Sequence, residues 1–486
     1  MGQAMLRAFF RDSIIYFIPT VISRGLAILL IPLYTRVLAP ADYGSLDLLM
    51  AFSSLVTLSV ALEVAQAVAR FYGDEVDPRQ RVLFASSAFW FSLVAYSAFL
   101  CLALLFSREL SPIVMARDDS LVEFRVGVAY IFFFGMFSLI QNQFRWELKS
   151  IQFSIVSLVV SIVTAGVAIA LTYGLGLGLL GMLLGMTIGA AIGCAYGLWR
   201  LRHTFRPEFQ FSALTEMLRF SAPLVPSSLA VFIGLYIDRI MISTYLSVED
   251  VGIYGMGFRV ASIAGLMVVG FQGALTPLIY AHHLRPSTPG NLATIFRLFA
   301  ACGLLLWLTA SLFAPEILGL MTVPAYYDAA SVVSCLVAAT LLSSMYIFAP
   351  GTAIAKKTHV ILGINLAGAA LNVGLNFVLI PQLGIQGAAA SKLISCAVVF
   401  GAYMWFGQLY YRIPHAWRPI AGATMTIALI PSAVGIVSDG EDLDWPLKAL
   451  CLAFAIALVF FTHLLRSSDL RDIKRFFSPV RDSQEF

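Results

Sequence analysis

Four cations and two acids stand inside stretches of this 486-residue chain that are otherwise apolar. Arg24, Arg239, Arg259 and Lys392 carry the positive charge; Glu63 and Asp238 carry the negative. A guanidinium presents a planar fork that grips a carboxylate or phosphate by paired hydrogen bonds, whereas an ammonium is a compact point charge. Gathered around one cavity, this set would suit an anion, and a phosphate or pyrophosphate group would use the forks best. Glu63 has two readings of equal standing, a carboxyl that takes up a proton for coupling or a counter-charge to an arginine. Arg24 is read as an anion ligand or as the partner of Glu63 in a structural pair. Adjacent Asp238 and Arg239 point about 100° apart on a helix and need not pair with each other.

The stretches around these charges are membrane spans. Hydrophobic residues make up 60% of the chain and charged residues 12%, roughly half the charged fraction of a soluble domain. The apolar residues come in blocks of about twenty, enough to cross a hydrocarbon core of about 30 Å. The pattern predicts an all-α integral membrane protein with about fourteen transmembrane helices. Among them are a first span at 13–37, a second at 44–69, a seventh at 218–246, an eighth at 252–280, an eleventh and twelfth at 360–380 and 384–410, and a last pair at 417–437 and 447–465. Four cations facing lipid would cost roughly 10 kcal/mol or more at 2.5–3.5 kcal/mol each, so they are expected to face water or partners. Arg259 and Lys392 have stems long enough to reach toward an interface, which mid-span Arg24 does not.

Ser13 to Val37 runs a full span without a cleavage site and is read as the first helix, and the Met1–Leu6 start carries no myristoylation signal. All six cysteines lie in apolar spans without a Cys-x-x-Cys pair, and adjacent His282 and His283 point apart, so no metal site and no cofactor are expected. Pro19, Pro32, Pro223, Pro226 and Pro277 mark expected bends. With the N-terminus on the cytoplasmic side, inside segments hold an excess of Lys and Arg of about four to one, and the acidic loop Asp439, Glu441, Asp442, Asp444 falls outside. Both termini are thus expected in the cytoplasm. Even the longest connections, Trp199 to Met217 and Ser107 to Glu123, are too short for a soluble catalytic head. A transporter is expected rather than an enzyme.

The chain also repeats itself. Leu38-Ala39-Pro40-Ala41-Asp42-Tyr43-Gly44 is echoed 208 residues later by Leu246-Ser247-Val248-Glu249-Asp250-Val251-Gly252, with Leu, Asp and Gly in register. Leu177-Gly178-Leu179-Leu180-Gly181 is echoed 206 residues later by Leu383-Gly384-Ile385-Gln386-Gly387. Two matched hinges at nearly one offset indicate duplication. Three regions follow: an N-terminal lobe at 1–217 with six helices, a second lobe at 218–413 with six, and 414–486 with two helices and a basic tail. Even-numbered halves enter the membrane in the same direction, which makes this a parallel repeat.

At Ser23-Arg24-Gly25, Ile31-Pro32-Leu33-Tyr34-Thr35-Arg36-Val37-Leu38 and Tyr43-Gly44, and again at Asp238-Arg239, Val251-Gly252-Ile253-Tyr254 and Arg259, the chain resembles the polysaccharide transporter family. These are the Wzx-type oligosaccharide flippases of the multidrug/oligosaccharidyl-lipid/polysaccharide (MOP) exporter superfamily. The resemblance implies a V-shaped pair of six-helix lobes and a cargo of undecaprenyl-pyrophosphate-linked sugar units, flipped across the bacterial inner membrane for surface polysaccharide such as O-antigen, capsule or exopolysaccharide. It further implies that Arg24 and Arg259 contact the pyrophosphate and that helices thirteen and fourteen form a lipid groove; Arg239 and Lys392 are candidates for the same cavity by charge and depth alone, with a structural role for Arg239 and Asp238 the alternative. Coupling to membrane potential, H+ or Na+, and cooperation with a polymerase and chain-length regulator, fit the same picture; a nucleic-acid partner does not. The competing readings are a lipid II flippase, a MATE-like multidrug exporter, and a membrane polymerase or glycosyltransferase.

Overall fold

Hydrocarbon offers no water to a peptide group, so an apolar stretch that spans it closes its hydrogen bonds within itself. The computed structural model describes residues 21–282, 285, 286, 288–437 and 444–465, and among the described residues the secondary structure is helical without a strand. The arginines at 7 and 11, His283, the acids at 439–442 and the basic tail from 466 lie outside the described residues.

In chain order the helices are α1 (Val21–Tyr34), α2 (Pro40–Val60), α3 (Val64–Asp74), α4 (Pro78–Leu105), α5 (Ser107–Met115), α6 (Leu121–Trp146), α7 (Ser150–Ile169) and α8 (Gly178–Arg200). The second half continues with α9 (Phe211–Ser221), α10 (Val225–Tyr245), α11 (Val248–His282), α12 (Thr288–Leu312), α13 (Ala314–Met321), α14 (Ala330–Ser344), α15 (Thr358–Tyr410), α16 (Trp417–Val437) and α17 (Trp445–Phe461). Ten helical segments among the described residues are long and apolar enough to cross a membrane. One of them, the 53-residue α15, is really two helices, because Gly384 at φ 60° and ψ −140° breaks it between the expected eleventh and twelfth spans. The expected first, thirteenth and fourteenth spans correspond to α1, α16 and α17.

Two expected spans differ in detail. The second is not one helix: Leu62 at φ 48° and Glu63 at φ 54° interrupt it between α2 and α3. Left-handed conformations at non-glycine residues cost on the order of 1–3 kcal/mol each, and no glycine or proline announces this break. The seventh begins earlier than 218, with α9 folding against Val64, Ala67, Val68, Phe84 and Ala88 through Ala213, Leu214 and Met217. Pro223 and Pro226 then impose a 3-10 turn at Ala222–Leu224 before α10 continues.

The described chain packs as two compact units that cut across the repeat: residues 1–259, 318–332 and 365–395 form one, and 260–317, 333–364 and 396–486 the other. In the first unit the repeated sequence has a direct physical meaning. Asp42 accepts from the backbone N–H of Ala39 (3.0 Å) and so caps the start of α2; at α11 the Ser247 hydroxyl accepts from the Asp250 backbone N–H (3.1 Å) and donates to the Asp250 carboxylate (2.6 Å), a cap at the same place built through the serine. The recurring glycines sit where the two capped ends cross. A Cβ on Gly44 would lie 1.8 Å from the Val248 carbonyl oxygen, and one on Gly252 would lie 1.9 Å from that of Pro40. Since Pro40 and Val248 are themselves counterparts in the repeat, the crossing is a pseudo-twofold contact. The second echo behaves likewise: Gly178 and Gly384 both take positive φ, and Gly181 and Gly387 each lie against the end of the preceding helix. Along α8, Gly185 and Gly189 let Ala168 and Thr164 of α7 approach closely.

In the second unit the last two helices cover α12. Ala423 and Ile427 of α16 and Ala455 and Val459 of α17 form one core with Ala301, Leu308 and Leu312. Lys448 is buried there, paired with Glu316 at 2.5 Å.

Candidate functional site

Five charged residues inside the first unit, Asp47, Arg239 and Arg259 on one side and Asp238 and Lys392 on the other, form two clusters, each closed by hydrogen bonds. Asp47 lies seven residues into α2, Arg239 six residues before the end of α10, and Arg259 eleven residues into α11. At 1.5 Å per residue Asp47 is about 5 Å along α2 from Gly44 and Arg259 about 10 Å along α11 from Gly252. Arg259 grips Asp47 with both amino groups, Nη2 to Oδ1 at 2.5 Å and Nη1 to Oδ2 at 3.4 Å, while Arg239 donates Nε to Oδ2 at 3.3 Å. One carboxylate thus serves two guanidiniums at once.

Aromatic rings hold the guanidiniums in place. Arg259 lies over Tyr43 at 4.7 Å and Arg239 over Phe258 at 4.6 Å, contacts that favour a cation more strongly as water is excluded. Tyr43 is fixed in turn by the edge of Tyr326, whose hydroxyl donates to the Leu38 carbonyl at 2.7 Å. Gly255 gives the carboxylate its seat, since a Cβ there would lie 2.0 Å from Asp47 Oδ2. A cavity of about 260 Å³ borders the cluster, walled also by Met50 and Tyr236.

Asp238 turns the other way, as its 100° offset from Arg239 requires. Its Oδ1 accepts from Asn372 Nδ2 and Asn376 Nδ2, both at 2.8 Å, and its Oδ2 from Lys392 Nζ at 3.0 Å and Tyr254 OH at 3.2 Å. Lys392 also donates to the Gly234 carbonyl. Asp238 is 1% exposed. A buried carboxylate keeps its charge only where it is paired and hydrogen-bonded, and here four donors from α11 and the two parts of α15 supply that. The cluster fastens α10, α11 and α15 together.

Arg24 sits on α1, ten residues before its end, with an exposed side chain. Neighbouring Ser23 bonds Ser161 of α7 at 2.7 Å. Glu63 occupies the break between α2 and α3 and is partly buried. Among the described residues no ion pair joins Arg24 to Glu63, so the structural pair considered for them is not formed.

Three residues of these clusters were not among the sequence candidates. Asp47 is an acid inside an expected apolar span, and its type and position were a sufficient signal. It raises the acids within the spans from two to three and reduces the imbalance of charge. Asn372 and Asn376 stand one helical turn apart in α15, but uncharged amides in a span carry little signal.

Beyond the helix ends, Arg117 joins Asp42 (2.7 Å) to Asp119 (3.0 Å). The hydrogen bonds to Asp119 raise the Arg117 pKa, and the same bonds hold the Asp119 carboxyl below its ordinary range. The α2 cap is thereby tied to the loop before α6.

Residues 9–283 match the family model described as "Polysaccharide biosynthesis protein". The chain belongs to this family. Within the curated proteins it is similar to Lsg locus putative protein 1 of Haemophilus influenzae, 28% identical over 279 residues, a match that spans 56% of this chain and 66% of that relative, just under two thirds of its length. Among solved structures it is similar to the lipid II flippase MurJ in an inward closed conformation, with a TM-score of 0.75 at 13% identity, covering 95% of this chain and 100% of the other. An inward-facing multidrug resistance MATE transporter of the MOP superfamily gives 0.62 at 18% identity over 82% and 97% of the two chains. A MOP superfamily transporter from Pyrococcus furiosus, described as having a binding pocket of reverse polarity, gives 0.58 at 17% identity over 83% and 95%. At such identities the likeness is one of fold. The family match and these neighbours together put the chain in the MOP exporter superfamily, with a multi-pass fold shared with transporters.

Proposed function

We propose that this protein is a flippase for undecaprenyl-pyrophosphate-linked oligosaccharide units, carried across the bacterial inner membrane for surface polysaccharide assembly. The observation that supports it most is the pair Arg239 and Arg259, sharing the single carboxylate of Asp47 inside a membrane-spanning bundle, in a chain of the polysaccharide biosynthesis family. Two neighbouring guanidiniums suit an anionic head group, and a pyrophosphate accepts paired bonds from both forks. Arg24 is the further anion contact. An exposed guanidinium on an apolar span is tolerated where its face is wet, and a cargo head group passing through such a cavity would meet it.

Lys392 and Asp238 have another part in this reading. They lock helices of the second repeat to one another and do not touch the cargo. Moving a negative head outward through an inside-negative potential is favourable by about 2.3 kcal/mol per charge per 100 mV, so export needs no chemical step. Membrane potential, or exchange with H+ or Na+, supplies the drive, and a polymerase and chain-length regulator use the product. Both termini face the cytoplasm.

The test is accumulation of lipid-linked sugar at the inner leaflet in cells with the native protein, with Arg24→Ala or Arg259→Ala at matched membrane levels, or with none. Accumulation in the absence of the protein, uncorrected by either variant, is the expected result. Normal delivery of units to the periplasm without the protein would refute the cargo. Loss of peptidoglycan precursor export instead would assign lipid II, whose pyrophosphate poses the same demand on the arginines.

A further inference from the structure

We infer that Asp47 is the resident anion of the arginine pair, which the diphosphate of the cargo must displace, and that this displacement unties the two halves of the repeat at the end where they cross. The inference rests on the flippase reading. Asp47 belongs to the first half of the repeat, whereas Arg239 and Arg259 belong to the second. Their bonds therefore run across the duplication, within about two turns of the crossing of Gly44 with Val248 and of Gly252 with Pro40.

The seat for Asp47 is built into the repeat. Its counterpart 208 residues on is Gly255, the residue whose missing Cβ makes room for Oδ2. The carboxylate is thus received where the symmetric position has no side chain. It also occupies the donors that a diphosphate would need: Arg259 gives both amino groups to Asp47, and Arg239 gives Nε to Asp47 and Nη1 to the Leu235 carbonyl. Paired gripping of a phosphate by Arg259 requires Asp47 to leave those donors. The bordering cavity of about 260 Å³ lets an anion reach the pair from one side. An entering diphosphate thus exchanges one negative partner for another, and the cross-repeat tie is lost as cargo is held.

The experiment uses the purified full-length protein in nanodiscs, with farnesyl diphosphate as a short-tailed probe. Two variants remove the competitor differently: Asp47→Asn deletes its charge, and Gly255→Ala keeps every charge while filling the carboxylate's seat. Both are expected to bind the probe about tenfold tighter than the native protein, the equivalent of one charge-assisted hydrogen bond. Spin labels at Ala39 and Glu249, in a background without the native cysteines, report the distance between the two halves. It is expected to lengthen in Asp47→Asn without ligand, and in the native protein on adding probe. Binding equal to or weaker than native in both variants, or an unchanged distance, overturns the inference and leaves the flippase reading intact if native binding is lost in Arg259→Ala. Absence of binding in native and variants alike sinks both.

Discussion

Replacing Lys392 by methionine separates a residue that holds helices together from one that reads cargo. In the native protein Asp238 is 1% exposed and takes four hydrogen bonds, one of them from Lys392 at 3.0 Å. Lys392→Met removes the only charge among those donors and leaves Asn372, Asn376 and Tyr254. Breaking a buried pair from one side costs about 3–5 kcal/mol, because the remaining charge is left without compensation. Three neutral donors survive, so about 3 kcal/mol is expected, at the lower end. The double variant Asp238→Asn with Lys392→Met has no charge to strand and should return to within about 1 kcal/mol of native, since neutral replacements of whole buried pairs are often tolerated. Equilibrium unfolding of the purified protein in micelles, followed by tryptophan fluorescence, gives all three values. The reasoning is refuted if Lys392→Met unfolds within about 1 kcal/mol of native while export collapses, because Lys392 would then act on cargo. It is refuted equally if the double variant is as unstable as the two single losses combined.

Further outcomes follow from other parts of the molecule. Gly44→Ala should lower stability by at least about 1–3 kcal/mol, because its Cβ meets a backbone oxygen at 1.8 Å rather than a movable side chain, whereas Gly25→Ala, with nothing within 4 Å, should not. Lys448→Met should destabilise the second unit by stranding Glu316; Glu316→Gln together with Lys448→Met should restore much of it, and thermal unfolding of the three proteins checks this. His415 lies between α15 and α16 against Phe296 (4.8 Å) and Trp417 (5.3 Å), and burial pushes its imidazole down to about 4. The unfolded chain then binds a proton that the folded chain refuses, so stability present above about pH 6.5 should be lost as pH falls toward 4. A pH series of melting temperatures should show that decline in the native protein and a flatter curve in His415→Phe.

Much of the membrane architecture was legible because lipid simplifies the code: apolar blocks of span length have one backbone solution. The repeat was legible for a related reason. Its recurring Asp and Gly are the residue types that a capped, closely crossed helix start demands, and the structure places Asp42, Asp250, Gly44 and Gly252 in those roles. The break at Leu62 and Glu63 was not legible, since neither residue favours the left-handed conformation and tertiary packing must impose it. The separation of Asp238 from Arg239 followed from helix geometry alone, but their partners did not. Those partners lie 134 to 192 residues away for Asn372 and Asp47, and no local pattern encodes such pairings.

The two halves share a backbone scheme but not a charge scheme, and that difference is where function can enter a duplicated fold. The counterparts of Arg239 and Arg259 in the first half are Ile31 and Ala51, and the counterpart of Asp47 in the second is Gly255. Had each half kept its own acid and its own arginines, pairs within a half would have satisfied every charge, and separating the halves would have cost no ionic contact. With the acid on one side and the cations on the other, the pairing with Asp47 forms only when the halves meet, and another anion can arrive in its place. Crossing glycines bring the helices close enough for the first condition. Under the proposed function an anionic cargo supplies the second, so that protein and substrate compete for the same donors in alternating states.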